Sequence, residues 1–373
     1  MSDTEIARIQ GYLVEPNLRP LILTGQDRPE TRALELVCLT LADGSQGVAG
    51  TTTGWMGEEK GRLLTQFRER AGDILHRDAS RPVEMNAELL DGCSDALPKA
   101  ASLYDIAIWD AFARHLNTPL WKLLGGYRDS IPVYASTPAF HSIDEYVEIT
   151  QSCIEAGYPA IKFHMNCDPK FDLAMVDAIA TSFSSHSIRF MVDLEQRYSI
   201  DDAITLGRKL SDLAYDWMEA PLADTDLAGY VALNDSVGVD VLPAGNTLIG
   251  LSNWEKGLSM GAWSRLRCDA TNAGGITVAC QAMSLASAHG VANEIQSYGL
   301  PFSQYANLAV MLARPGCTWF EQAVPDELFS FGAAEPLALD GRGHVVAPVG
   351  SGTGLTVDWE AIEAHATNQF DVY

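Results

Sequence analysis

Seven polar residues recur through the second half of the chain at the ends of short apolar runs. They are Lys162, Asp193, Glu219, Asn246, Asp269, Gln296 and Glu321, at intervals of 23 to 31 residues. One run, YDWMEAPL (Tyr215–Leu222), carries Glu219 among Trp217, Met218, Ala220 and Leu222. A carboxylate taken into such a segment is costly unless a basic side chain, a metal ion or a proton compensates it. Asp193, Glu219 and Asn246 end three consecutive runs and offer oxygen donors only. Oxygen donors without Cys or His suit a hard cation, Mg²⁺ above all, with water or substrate completing its octahedron. The competing reading pairs each acid with a Lys or Arg.

These residues need elements that bring them side by side. From Ile131 onward, short apolar strands alternate with helical segments. The predicted strands are Pro132–Tyr134, Ala160–His164, Arg189–Leu194, Tyr215–Ala220, Val239–Gly245, Arg265–Ala270, Val291–Gln296 and Thr318–Gln322, with helices such as Ile143–Glu155 and Ile276–His289 between them. Near-continuous apolar strands point to a parallel sheet buried on both faces. Eight of them with helical crossovers fit a closed barrel, whose C-terminal rim carries the chemistry. The alternative, an open doubly wound sheet, lacks the GxGxxG expected after its first strand. In the barrel the seven polar residues stand around one rim. Period-two alternation adds His164 beside Lys162, Glu195 beside Asp193 and Glu294 beside Gln296 on the inward face.

The first 130 residues read differently. RALELVCLTL (Arg32–Leu41) alternates like a strand, Gly47–Gly54 reads as a glycine and threonine loop, and Glu58–Leu75 and Ala96–Leu116 read as helices. This texture predicts a separate α+β domain over residues 1–130, with the barrel over 131–324 and the segment 325–373 packing back on the first domain.

Composition narrows the function classes. The net charge of −24 repels nucleic acid and anionic membranes, and no Lys/Arg stripe offsets it. No apolar run reaches the roughly 20 residues that span a bilayer, and the polar MSDTEIARIQ start is unlike a secretory signal. Seven scattered cysteines without a CxxC argue against a disulfide framework or structural zinc. The expectation is a cytoplasmic protein acting on a small molecule.

At this point the chain resembles a known family. Lys-x-His on one strand, followed by Asp193, Glu219 and a third oxygen donor on the next three, resembles the enolase superfamily. SLYDIAIWDAFARHLNTPLWKLLGG (Ser102–Gly126) and DATNAGGITVACQAMSLASAHG (Asp269–Gly290) are similar to its mandelate racemase and muconate-lactonising branches. The resemblance implies a (β/α)7β TIM-type barrel, an α+β capping domain built from both termini, Mg²⁺, abstraction of the proton α to a carboxylate, and assembly as a homo-oligomer. The superfamily uses a Lys or His base with Mg²⁺. Lys162 is the expected base, its pKa lowered by a nearby cation and by desolvation; otherwise it is a counter-ion to Asp193 or Glu219. Glu321 matches the family acid that hydrogen-bonds the substrate carboxylate, a role that requires its proton.

Four departures from the family pattern bear on the reaction. His164 stands where a second lysine is usual, either orienting Lys162, donating to substrate, or packed and neutral. Asn246 replaces an acid, as in the glucarate dehydratase branch, which leaves the metal site more electrophilic and suits a diacid substrate. Gln296 takes the place of the histidine that pairs with Asp269, so a second base on the opposite face is missing unless Asp269, Glu294 or Tyr298 substitutes. Glu195 stands where relatives have Asn, as a further ligand, a substrate contact or a partner for Lys162. Trp55 in the Gly50–Trp55 stretch, Arg19 and Tyr298 are the remaining candidate specificity contacts.

One base favours syn dehydration of an acid sugar to a 2-keto-3-deoxy acid. The alternatives are a racemase, epimerase or cycloisomerase of the same superfamily, and a sugar-acid-binding barrel that has lost turnover.

Overall fold

The computed structural model describes residues 2–18, 32–54, 58–91 and 98–373. Three N-terminal strands, β1 (Ile6–Val14), β2 (Ala33–Leu41) and β3 (Gln46–Thr53), are followed by helices α1 (Arg62–Ile74), α2 (Pro82–Asp91), α3 (Lys99–His115) and α4 (Leu120–Leu123). The stretch Gly47–Gly54, expected as a loop, is strand β3 up to Thr53, and the physical reason is helix packing. A Cβ on Gly47 would stand 2.0 Å from the Ala107 carbonyl oxygen of α3. Glycine here lets a helix approach the sheet rather than marking a loop.

The chain then repeats a strand–helix unit. In order these are β4 (Ser130–Thr137), α5 (Ile143–Glu155), β5 (Ala160–His164), α6 (Pro169–Ser182), β6 (Arg189–Asp193), α7 (Ile200–Asp212), β7 (Trp217–Glu219), α8 (Leu227–Asn234), β8 (Asp240–Leu242), α9 (Leu251–Ser259), β9 (Arg265–Cys268), α10 (Gly275–Ala288), β10 (Ala292–Ile295), α11 (Pro301–Ala313) and β11 (Phe320–Ala323). Parallel pairing runs β11-β4-β5-β6-β7-β8, with β9 paired to β10. Ser264 N donating to Val241 O (3.0 Å) joins β8 to β9, and Ser297 Oγ donating to Glu321 O (2.7 Å) joins β10 to β11. The result is a (β/α)7β barrel. Several crossover helices start on side-chain caps placed just past the strand ends: Ser142, Asp168, Ser199 and Asp226 each accept from the first helical turn. Each cap is worth about 1 kcal/mol.

The last segment holds β12 (His344–Val346), which pairs antiparallel with β4, then α12 (Trp359–His365) and β13 (Ala366–Val372). Strand β13 adds to the edge of β1, so both ends of the chain share the antiparallel order β13-β1-β2-β3. The Gly350–Gly354 stretch reaches α3, where Thr353 N donates to the buried Asp110 (2.6 Å). No helix among the described residues is long and apolar enough to cross a membrane. The six described cysteines are free.

Inside the barrel the layers differ. The lower layer is apolar: Tyr134, Ala160, Met191, Trp217 and Leu242 pack together, with Tyr134 edge-on to Trp217 at 5.4 Å. That plug closes the bottom and leaves the polar side chains above it no solvent except through the mouth.

Candidate active site

Strand register sets the polar layer. His164 of β5 is paired with Asp193 of β6, and Asp193 with Glu219 of β7. All three therefore finish their strands at one height. The chain leaves two of these ends through strained backbone: Glu195, Gln196 and Ala220 have φ of 50°, 60° and 48°. Non-glycine residues in this region cluster where function outweighs local strain.

Lys162 lies one turn of the pleat below the rim and is buried. Its Nζ is 2.8 Å from Glu219 Oε2, 2.8 Å from Glu321 Oε1 and 3.3 Å from Asp193 Oδ2. Burial opposes its charge, but Glu219 and Glu321 overcome this and hold its pKa well above the ordinary lysine value. The expectation of a lowered pKa that frees an amine lone pair is thus corrected. Glu219 and Glu321 act the other way and outweigh the opposing effect of Arg267.

Arg267 completes the cluster. Its Nε is 2.7 Å from Glu219 Oε1 and its Nη2 is 2.9 Å from Glu321 Oε2. Each oxygen of Glu219 and of Glu321 therefore faces a cation. Glu321 also accepts from Ser297 N at 3.1 Å. Although burial pushes the other way, Lys162 and Arg267 hold Glu321 far below the usual carboxylate range. It is an anion with both oxygens engaged, which corrects the expectation of a protonated donor. Glu219 differs: burial dominates and raises it to about 8, against the pull of Arg267. Asp193, at the rim, is held low by Lys162 and then His164 in spite of its burial. Sequence reading missed Arg267. Its signal was available, since it lies two residues before Asp269 and so faces inward by the same alternation.

His164 is fixed by its Nδ1, 2.6 Å from the carbonyl oxygen of Thr137. A carbonyl can only accept, so Nδ1 carries a proton, and in a neutral ring the lone pair is then on Nε2. Nε2 stands 3.5 Å from Asp193 Oδ2 and 3.4 Å from Glu195 Oε1. These three side chains bring ligand atoms close enough together to hold a metal ion. The ring of Tyr298 packs against His164 at 5.3 Å between centroids.

The other expected residues are placed as follows. Asn246 follows β8 on the wall of a cavity of about 260 Å³ between the β3 edge and the barrel mouth, together with Asp269, Gln296 and Tyr298. Its loop is anchored by buried Asp224, which accepts from Ala244 N, Gly245 N and Thr247 Oγ1. Asp269 is committed: Thr271, Asn272 and Asn307 donate four hydrogen bonds to its two oxygens. As a substitute acid or base it is corrected, because no lone pair points to the cavity unclaimed. Glu294 is corrected too. It lies beside the start of β9 and the approach to β11, bound to Arg265 at 3.0 Å and to Thr318, at the end of the barrel away from the rim. Alternation had placed it inward but could not tell its depth. Trp55 and Arg19 lie outside the described residues.

The cluster fits a divalent cation. Among the described residues the carboxylates of Asp193, Glu195, Glu219 and Glu321 gather around Lys162 and Arg267, with Arg197 acting on Glu195, so fully ionised the group still carries more negative than positive charge. Oxygen donors at a rim open to substrate match what Mg²⁺ requires.

Comparison with known proteins bears on the family and the fold. Residues 145–361 match the family described as enolase C-terminal domain-like, and residues 9–125 match the mandelate racemase/muconate lactonizing enzyme N-terminal domain. The L-talarate/galactarate dehydratase of Salmonella typhimurium is 27% identical over 313 residues, covering 80% of this chain and 75% of its own. A crystal structure of that enzyme, liganded with Mg and L-lyxarohydroxamate, superposes with a TM-score of 0.85 at 22% identity, covering 99% of this chain and 94% of that one. The 3,6-anhydro-alpha-L-galactonate cycloisomerase of Streptomyces coelicolor is 30% identical over 274 residues, covering 70% of this chain and 71% of its own. A solved structure from Pseudovibrio sp., assigned to the mandelate racemase/muconate lactonizing enzymes, has a TM-score of 0.95 at 32% identity and 99% coverage of both chains.

Proposed function

The chain belongs to the enolase superfamily, in its mandelate racemase/muconate lactonizing branch, and from that premise we propose that it is a Mg²⁺-dependent hydro-lyase dehydrating an acid sugar to a 2-keto-3-deoxy acid. Asp193 and Glu219 would hold the ion, with Asn246 and Glu195 to either side. When bound, the cation supplies charge that makes the proton α to the substrate carboxylate more acidic. A second reading gives the ion to Asp193, Glu195 and His164, whose ligand atoms lie within 4.8 Å of one another. The imidazole nitrogen is a poorer partner for Mg²⁺ than oxygen is, so His164 is assigned to proton transfer instead.

The observation that carries the reading is the division of labour between Lys162 and His164. Lys162 is locked as a counter-ion by three carboxylates. His164 has Nδ1 pinned to Thr137, while Nε2 faces the rim between Asp193 and Glu195, where it can take up a proton. The proton passes from the α-carbon to Nε2 and the C–H pair becomes the C=C bond. The β-hydroxyl leaves with its bonding pair and takes the same proton back from Nε2 as water. The enol then tautomerises to the 2-keto acid. One group acting on one face is sufficient for this syn course. Among the described residues the wall away from His164 carries Gln296, which does not exchange protons, the committed Asp269, and Lys99, which is ion-paired with Glu58. This disfavours two-base racemisation. Cycloisomerisation also needs only one base and is the runner-up, supported by the relative from S. coelicolor.

A screen of acid sugars with Mg²⁺, trapping keto acid with semicarbazide, tests the proposal. Keto acid formation with one deuterium at C3 from D₂O supports dehydration. Exchange of the α-hydrogen, or a lactone–acid conversion, without keto acid assigns the chain to the runner-up class.

A further inference from the structure

Glu321 points into the barrel, so its neighbour on β11, Gln322, points out of it. There it lines a second cavity, of about 200 Å³, together with Gln304 of α11, Leu337 of the C-terminal segment, and Asp326 and Glu327 of the turn that follows the strand. This cavity shares no lining residue with the one at the barrel mouth. Gln322 is 3% exposed. Its Nε2 donates to the carbonyl oxygen of Leu337 (3.3 Å), which orients the amide, and its Oε1 is buried without a hydrogen-bond partner. Gln304, 4% exposed, is oriented in the same way, with Nε2 donating to the carbonyl oxygen of Gly299 (2.7 Å). Each amide spends its donor on the backbone and keeps its oxygen as an acceptor. Native proteins leave few buried acceptors unserved, so an unserved one on a cavity wall points to a ligand.

Charge decides which ligand. Among the described residues no Lys, Arg or His lines this cavity, and both of its carboxylates, Asp326 and Glu327, are exposed. The hydroxyl of Ser330 donates to the carbonyl oxygen of Glu327 (3.3 Å), so it too turns lone pairs to the cavity. These side chains repel an anion, as does the net charge of −24. They suit a cation, and the buried donors set its charge. Mg²⁺ demands near-ideal octahedral geometry and gives up water reluctantly. Neutral carbonyl oxygens taking the place of a hydration shell are what hold K⁺ in protein filters.

We infer that this cavity binds a monovalent cation of the alkali-metal type, with Gln322 Oε1 and Gln304 Oε1 as its buried ligands and Asp326 and Glu327 at the entrance. The ion ties together β11, α11 and the C-terminal segment, three parts of the chain far apart in sequence. Phe329 lines the same cavity and packs at 5.1 Å between centroids on Tyr298, the ring that packs on His164. The ion thus braces the active-site wall from behind without meeting the substrate. Its binding is independent of which reaction the barrel catalyses.

Thermal unfolding of the full chain in saturating Mg²⁺ tests this in KCl, NaCl and tetramethylammonium chloride at equal concentrations, the last cation being too bulky for amide oxygens to surround. The midpoint is expected to be higher in KCl or NaCl than in tetramethylammonium chloride, and to rise with the logarithm of the ion concentration. Gln322→Met should raise the concentration that gives half of this gain by about tenfold or more. Asp326→Asn, a surface change that leaves the core intact, should raise it by about two- to fivefold. Crystals soaked in RbCl should show anomalous density in the cavity. Equal midpoints in the three salts, a gain unchanged in both variants, or water alone in the cavity of the Rb⁺-soaked crystals would each overturn the site. Stabilisation by Ca²⁺ but by neither K⁺ nor Na⁺ would overturn the monovalent assignment. Should Gln322→Met fail to fold, Asp326→Asn and the Rb⁺ soak decide the matter.

Discussion

The amine of Lys162 and the carboxylate of Glu321 lie 2.8 Å apart, both buried, and each is also held by a second partner of opposite charge. Glu219 and Arg267 close the ring. A buried ion pair of this kind contributes little over an apolar substitute, but breaking one side strands a charge.

Lys162→Met and Glu321→Gln should therefore each cost about 3–5 kcal/mol in chemical denaturation. The double variant should cost less than both losses together, with a coupling of about 1–3 kcal/mol. Additive losses would show that the two groups do not sense each other.

Magnesium should stabilise the protein through the same cluster. At about 100 times Kd, a bound ion adds about 2.7 kcal/mol to unfolding, and Asp193→Asn should abolish this gain. The effect should grow with pH. Burial raises Glu219 to about 8 in the metal-free protein, so below that pH its proton must be displaced. Calorimetric Mg²⁺ affinity should rise from pH 6.5 to 8.5 and then level. A pH-independent affinity would contradict the Glu219 assignment.

Asp105 gives a pH effect remote from the metal. It is fully buried on α3, accepts from Thr277 Oγ1 (2.7 Å) and Thr277 N (3.0 Å), and burial pushes it up to about 7 from 3.8. The folded state therefore keeps a proton that the unfolded chain releases. The associated stability is complete below about pH 4 and is lost as pH rises toward 7, up to about 4 kcal/mol in all. Asp105→Asn should flatten the urea-unfolding free energy over that window. An unchanged slope would show that Asp105 is ionised in the fold.

Much of this was legible in the sequence because the barrel repeats. A residue at each strand end, spaced by one strand–helix unit, placed Lys162, Asp193 and Glu219 together without any coordinates. Depth and commitment were not legible. Glu294 and Gln296 share a face, yet Glu294 is bound to Arg265 near the bottom while Gln296 meets the cavity. The sign of the Lys162 shift depended on how closely Glu219 and Glu321 approach its amine, and Glu321 comes from a strand far along the chain. Glycines mislead in β3, where the stretch from Gly47 reads as a loop although Gly47 serves close packing against α3.

The most direct test of the account is α-hydrogen exchange in D₂O by wild type and by His164→Ala, each loaded with Mg²⁺ and given an acid sugar that the wild type turns over. General base catalysis contributes about 10²–10⁴-fold, so exchange and keto acid formation should both fall by at least about a hundredfold while the folded state and Mg²⁺ affinity persist. Exchange at the wild-type rate in His164→Ala would place the base elsewhere and contradict the account.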